Sequence, residues 1–256
     1  MAARRGVFVG VGLLLTFALV GAGSLFCINL MALQTVRSDT TYPFSGSAVE
    51  VDVALGDVQI ERGRAGEVAV SRNMVSGLRR PKSDAEARGN TFVITDRACP
   101  LQRLFRCDLS WTISVPPEVD VVVAAGRSDI NVVGVDGSVK VASTGKIDVA
   151  HVTGEVALVT HDGDIRAKQL RSERFVAISD EGRIHVSLDT APRLVIARTK
   201  RGEVEIEVPD GTGPYRVKAV TDDGLSTVTV PTDTNSDRTV NIESGAGNVF
   251  VTQHSR

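Results

Sequence analysis

A five-residue phrase recurs through this chain: glycine, any residue, Ile or Val, any residue, then an apolar residue. Gly145-Lys146-Ile147-Asp148-Val149 is the cleanest copy, followed by copies that begin at Gly163, Gly182 and Gly202. Those glycines fall 18, 19 and 20 residues apart. An earlier copy starts at Gly56, and later ones at looser spacing, 22 and 23 residues after their predecessors, start at Gly224 and Gly247. A fixed period means one structural unit stacked many times. The unit reads as strand, because apolar and polar residues alternate and Val, Ile and Thr abound. A second strand follows in each unit, as in Val139-Lys140-Val141, Val156-Ala157-Leu158, Phe175-Val176-Ala177-Ile178 and Leu194-Val195-Ile196. The expectation is an all-β fold, a parallel β-solenoid or β-helix-like stack of two-strand repeats about 19 residues long. A sandwich of hairpins spaces its strands similarly and is the rival architecture.

The charges favour the stack. The residue after each repeat glycine is Lys146, Asp164, Arg183 and Glu203 in turn, so the signs alternate. In a parallel stack these positions lie roughly 4.8 Å apart. Opposite neighbours there form a ladder, and a slip by one coil brings like charges together.

Ahead of the repeat, no charged residue occurs between Arg5 and Arg37. Residues 7–33 are almost continuously apolar, and as a helix these 27 residues would be about 40 Å long, enough to cross a bilayer. A cleaved signal peptide is the other reading, but its apolar core is shorter and ends at a small-x-small site. Phe26 before Cys27 argues against a lipidation site, which leaves Cys27 as a buried thiol. Arg4 and Arg5 favour a cytoplasmic N-terminus. The expected organisation is a cytoplasmic stub and transmembrane helix at 1–36 and a tether at 37–47. An N-terminal β region at 48–118 and solenoid repeats at 119–256 complete it. The chain is then a single-pass protein of the cell membrane with its C-terminal domain extracytoplasmic.

Within 48–118, Val49, Val51 and Val53 alternate with Glu50 and Asp52, and strands are expected at 67–70, 91–94 and 110–115. The polar stretch 72–90 interrupts the repeat and carries Arg79-Arg80-Pro81-Lys82, which reads as a solvated loop. Cys99 and Cys107 are expected to pair as a disulfide in an oxidising compartment. Pro116-Pro117 ends the last of these strands and turns the chain into the solenoid.

The run Thr112-Ile113-Ser114-Val115-Pro116, followed by repeated Gly-x-Ile-x-Val phrases, resembles the bacterial candidate-adhesin domain family of β-strand-repeat cell-envelope proteins. The resemblance spans about 49–251 and is best over 111–208. It implies a stacked β fold, often behind an N-terminal membrane helix, with adhesion or envelope-stress sensing as the associated roles. It implies no catalytic residues. The cysteine loop and the basic insert are extras to the pattern.

A net charge of −2 gives no bulk attraction to nucleic acid, and 4% aromatics leave few stacking platforms for bases or sugars. Parallel β-helices can carry carbohydrate-active sites, for which Asp129, Asp148, Asp164, Glu203 and Glu205 are the outward carboxylates, yet turns this short leave no deep cleft. Asp162, Asp180-Glu181 and Asp222-Asp223 precede glycines, as turn chemistry prefers. Lys200-Arg201 interrupts that acidic row, so a calcium site is not expected, and His151, His161, His185 and His254 share no repeat position. We expect no enzyme, cofactor or metal site. The expected role is non-catalytic binding at the cell envelope. The bilayer is a partner through residues 7–33, and an envelope polymer or a membrane-protein partner is the expected ligand. An envelope-stress sensor or scaffold is the first alternative, and a carbohydrate-active enzyme the second.

Overall fold

The computed structural model describes residues 23, 34–76, 83–96 and 107–254. The apolar run 7–33 apart from Gly23, Cys27, the basic run 79–82 and Cys99 lie outside them, and so does the expected Cys99–Cys107 pairing. Among the described residues no helix is long and apolar enough to cross a membrane.

Alternation becomes strand throughout. The first strands are β1 (Gln34–Pro43), β2 (Ala48–Leu55), β3 (Asp57–Arg62), β4 (Glu67–Ser76), β5 (Ser83–Arg88), β6 (Thr91–Asp96) and β7 (Cys107–Val115). The repeat region continues with β8 (Asp120–Arg127), β9 (Ile130–Val133), β10 (Val139–Ser143), β11 (Ile147–Ala150), β12 (Val156–Asp162), β13 (Ile165–Leu170) and β14 (Arg174–Glu181). The last are β15 (Ile184–Leu188), β16 (Leu194–Arg201), β17 (Val204–Pro209), β18 (Arg216–Asp223), β19 (Ser226–Val228), β20 (Thr239–Ala246) and β21 (Val249–His254). They form an 11-stranded sheet, ordered β1-β4-β7-β3-β9-β11-β13-β15-β17-β21-β19, and a 10-stranded sheet, ordered β18-β20-β16-β14-β12-β10-β8-β2-β6-β5. Each coil gives one strand to each sheet. Pairing is parallel except at the N-terminal end, where β1 with β4, β4 with β7 and β5 with β6 run antiparallel.

Register stacks like on like. Ile130, Ile147, Ile165, Ile184, Val204 and Val249 form one inward column of the 11-stranded sheet, and all are essentially inaccessible. Val121, Val139, Val156, Phe175, Val195 and Val240 form its counterpart in the 10-stranded sheet. β-branched side chains suit a column on a pleated surface, since each packs against its copies above and below. At the N-terminal end aromatic rings close the core: Tyr42 and Phe44 lie 5.1 and 5.8 Å from Phe92, centroid to centroid. The Arg72 guanidinium covers Trp111 at 5.9 Å.

The repeat glycines mark the corner between the two strands of a coil. A Cβ on Gly163 would sit 2.4 Å from the carbonyl oxygen of Gly145, and one on Gly182 would sit 2.2 Å from that of Gly163. Glycine is there because successive backbones touch. Beside this column runs a second that the glycine phrase does not announce. The buried hydroxyls of Ser143, Thr160, Ser179, Thr199 and Ser244 are register neighbours. Thr160 Oγ1 donates to the Gly145 carbonyl at 2.6 Å, and Ser244 Oγ to that of Gly202 at 2.9 Å.

Three expectations need correction. Residues 37–43 are not tether but strand, held as β1 against β4. The polar stretch 72–90 contributes the end of β4 and all of β5. The loosened spacing after Ala219 is a change of order: β20 and β21 insert between the β16–β17 coil and the β18–β19 coil. A Cβ on Gly247 would therefore meet the carbonyl oxygen of Gly202, and one on Gly224 that of Gly247. At the other end, β2 and β3 likewise lie inside β6 and β7.

Candidate binding faces

Each sheet turns its alternate residues outward, and the two outer faces differ in chemistry. On the 11-stranded sheet one outward column reads Asn131, Asp148, Arg166, His185, Glu205 and Phe250. Its ion pairs run mostly along strands, not across them as the alternating signs suggest: Lys146 with Asp148, and Arg166 with Asp164 at 2.9 Å. His185 Nδ1 and Glu205 Oε2, 2.9 Å apart, are the cross-strand pair.

Of the five carboxylates considered as catalytic candidates, Asp148 pairs with Lys146 and Glu205 with His185, and two others hold backbone instead. Asp129 Oδ1 accepts from the Lys146 N–H, and Asp164 Oδ1 from the Arg183 N–H, both at 3.0 Å. Asn248 repeats the device on the Leu225 N–H at 3.1 Å. A carboxylate or amide at this corner position, following Gly163, Gly247 or, in an earlier coil, Ser128, therefore ties one corner to the next. Asp164, Arg183, His185, Glu203 and Glu205 line a shallow depression of about 170 Å³. The structure gathers these groups without enclosing them.

The histidines separate as expected, with one exception. His161 pairs with Asp180 at 2.6 Å on the other sheet, and His151 occupies a left-handed corner. His185, however, meets Glu205 and Glu207, and their donor atoms lie within 4.8 Å of one another. Sequence reasoning missed this group because it looked for histidines at equal positions. The usable signal was a histidine one coil before Glu-x-Glu.

The 10-stranded sheet has a different surface. Of two adjacent outward columns, one carries Val122, Lys140, Ala157, Val176 and Ile196, and the other, wholly apolar over this span, carries Ala124, Ala142, Val159 and Ile178. Val122, Val159, Ile178 and Val220 expose 38, 44, 37 and 43% of their surface. This apolar strip has a charged rim. Arg198 and Lys218 both reach Glu243, at 3.3 and 3.2 Å, and Lys200 reaches Asp180 at 2.7 Å. The Lys200 ammonium, and then the His161 ring, hold the Asp180 carboxyl below the ordinary carboxylate value. Glu181 pairs with Arg201, so the acidic residues at these turns face cations of the neighbouring coil. Next to the strip a groove of about 550 Å³ is lined by Ile178, Arg198, Lys200, Lys218, Val220 and Glu243.

The sequence pattern of a family described as Toastrack DUF4097 matches residues 46–255. Among curated proteins none matches. Solved structures with similar topology include a candidate adhesin from Bacteroides fragilis, 13% identical, with a TM-score of 0.46 over 85% of this chain and 97% of that one. A candidate cell adhesion protein from Clostridium sporogenes is 10% identical, with a TM-score of 0.39 over 86% of this chain and 100% of that one. A candidate lipid binding protein from Parabacteroides distasonis is also 10% identical, with a TM-score of 0.38 over 85% and 96%.

Proposed function

Starting from a chain that belongs to the Toastrack DUF4097 family, we propose a membrane-anchored, extracytoplasmic binding protein of the cell envelope, without catalytic activity. Its contact surface is the outer face of the 10-stranded sheet. The observation that carries this reading is the apolar strip through Val122, Val159 and Ile178. Contiguous exposed apolar surface rimmed by charge marks a contact site, and a parallel sheet usually has both faces covered. Here the inner face packs the core, and the outer one is left for a partner.

The anchor rests on the apolar run 7–33 and on where the fold starts. β1 begins at Gln34, directly after that run. The aromatic-capped end of the stack then lies nearest the bilayer, and the strip faces sideways from it. Placing β1 in the sheet rather than in a tether makes this spacing short.

The test is photo-crosslinking in cells, with a photoreactive amino acid at Val159 or Ile178 and, as control, at Asn131 on the opposite sheet. A discrete product from Val159 and Ile178 but not from Asn131 is expected. If the product is a membrane protein, the role is that of a sensor or scaffold; if it is wall polymer, the role is adhesin-like. Equal products from both faces, or none from the strip, would overturn the proposal.

A further inference from the structure

We infer that His185, Glu205 and Glu207 form a binding site for a divalent transition-metal ion of the zinc type, on the outer face of the 11-stranded sheet. Three features of the fold build it. His185 and Glu205 are register partners on the adjacent parallel strands β15 and β17. Glu205 and Glu207 stand two residues apart on β17, so the period of the strand turns both the same way. All three backbones are anchored from the inside, because Ile184, Val186, Val204, Ile206 and Val208 are fully buried. A rigid scaffold of this kind presents ligands with little reorganisation.

The donor set selects the ion. One imidazole nitrogen and two carboxylates suit zinc and its neighbours, which take three protein ligands and keep an open position for water or a further donor. Calcium and magnesium want more oxygens and no imidazole. The charge also fits. Among the described residues no Lys or Arg forms an ion pair with Glu205 or Glu207; Arg166 is engaged by Asp164 at 2.9 Å, and Arg183 shares the depression with the further carboxylate of Glu203. The His185–Glu205 hydrogen bond of 2.9 Å holds the two donors together. Metal entering between them replaces it: the Nδ1 proton leaves to solvent or moves to Nε2, and Nδ1 becomes the ligand. Ligation requires the unprotonated nitrogen, so binding weakens in acid.

The site shares no residue with the apolar strip, and the two proposals stand or fall separately. The test uses the full-length protein in detergent, stripped of metal with a chelator. Zinc is titrated by equilibrium dialysis, and cobalt(II) serves as a visible-absorption probe of nitrogen and oxygen ligation. One ion per chain is expected. Loss of a direct ligand weakens binding at least as much as loss of an outer-shell partner does, on the order of 10–100-fold. That loss is expected for His185→Ala and for Glu207→Gln, and the latter breaks no ion pair. The control His161→Ala should bind as the unmodified protein does. Absence of zinc binding, or binding unchanged in both His185→Ala and Glu207→Gln, would overturn the assignment. So would an equal loss in His161→Ala.

Discussion

At Gly182 two constraints coincide. Its φ is +140°, and an added Cβ would lie 2.2 Å from the Gly163 carbonyl oxygen. That oxygen belongs to backbone on the neighbouring coil, so a side chain cannot be accommodated by a rotamer change. Gly182→Ala is expected to destabilise by on the order of 2–4 kcal/mol, read as a lower denaturant midpoint with an unchanged slope. Gln169 presents the opposite case. It adopts φ of 55°, in the left-handed region, one coil along from His151 at the same φ. Side-chain strain there amounts to roughly 1–2 kcal/mol, partly offset by the entropy of a glycine. Gln169→Gly should raise stability by about 0.5–1 kcal/mol, measured in the same denaturation experiment. The repeat glycines were legible in the sequence because the need for them recurs at each corner. Gln169 was not, because nothing in its neighbours distinguishes a left-handed residue from an ordinary one.

The corner as a unit combines glycine, the preceding hydroxyl and the following acidic or amide side chain. Thr160 Oγ1 reaches the Gly145 carbonyl at 2.6 Å from a buried position. Thr160→Val keeps the shape and removes the donor. A loss of about 1–2 kcal/mol is expected for an unsatisfied buried carbonyl, with the far-ultraviolet spectrum unchanged. The same logic reinterprets the outward carboxylates. Asp164 alternates in sign with Lys146 and Arg183, which from sequence suggests a charge ladder. In the folded chain it accepts the Arg183 N–H and pairs with Arg166. Charge signs can be read from a sequence, whereas the choice between a partner along the strand and one across it depends on side-chain reach. The hydroxyl column was hidden for another reason: a Ser or Thr in a strand is ordinary, and its burial becomes visible only once both sheets are assembled.

The order of the coils carries the last consequence. From Gly145 to Gly202 each coil stacks on its predecessor, so period and position agree. Beyond Pro209 the chain first builds the outermost coil, β18 and β19, and then returns to fill the gap with β20 and β21. The glycine spacing does not encode that order, which follows from which strand finds which edge; the one local mark of it is Ser226, which stands in the outer copy where the inner copy has Val249. The β18–β19 coil therefore has no place on the stack until β20 and β21 arrive, because β18 pairs with β20 and β19 with β21. A chain stopped after Val230 retains β18 and β19 without the strands that hold them. One stopped after Pro209 ends on a coil whose inner neighbours are all present. The shorter chain is thus expected to yield more soluble monomer on size-exclusion chromatography than the longer one, because it exposes one orderly edge and not an edge plus two strands without pairing partners. If instead the chain ending at Val230 behaves as well as the shorter one, β18 and β19 would have to dock directly on β16 and β17 in its absence, and the inserted order would be a preference of the complete chain alone.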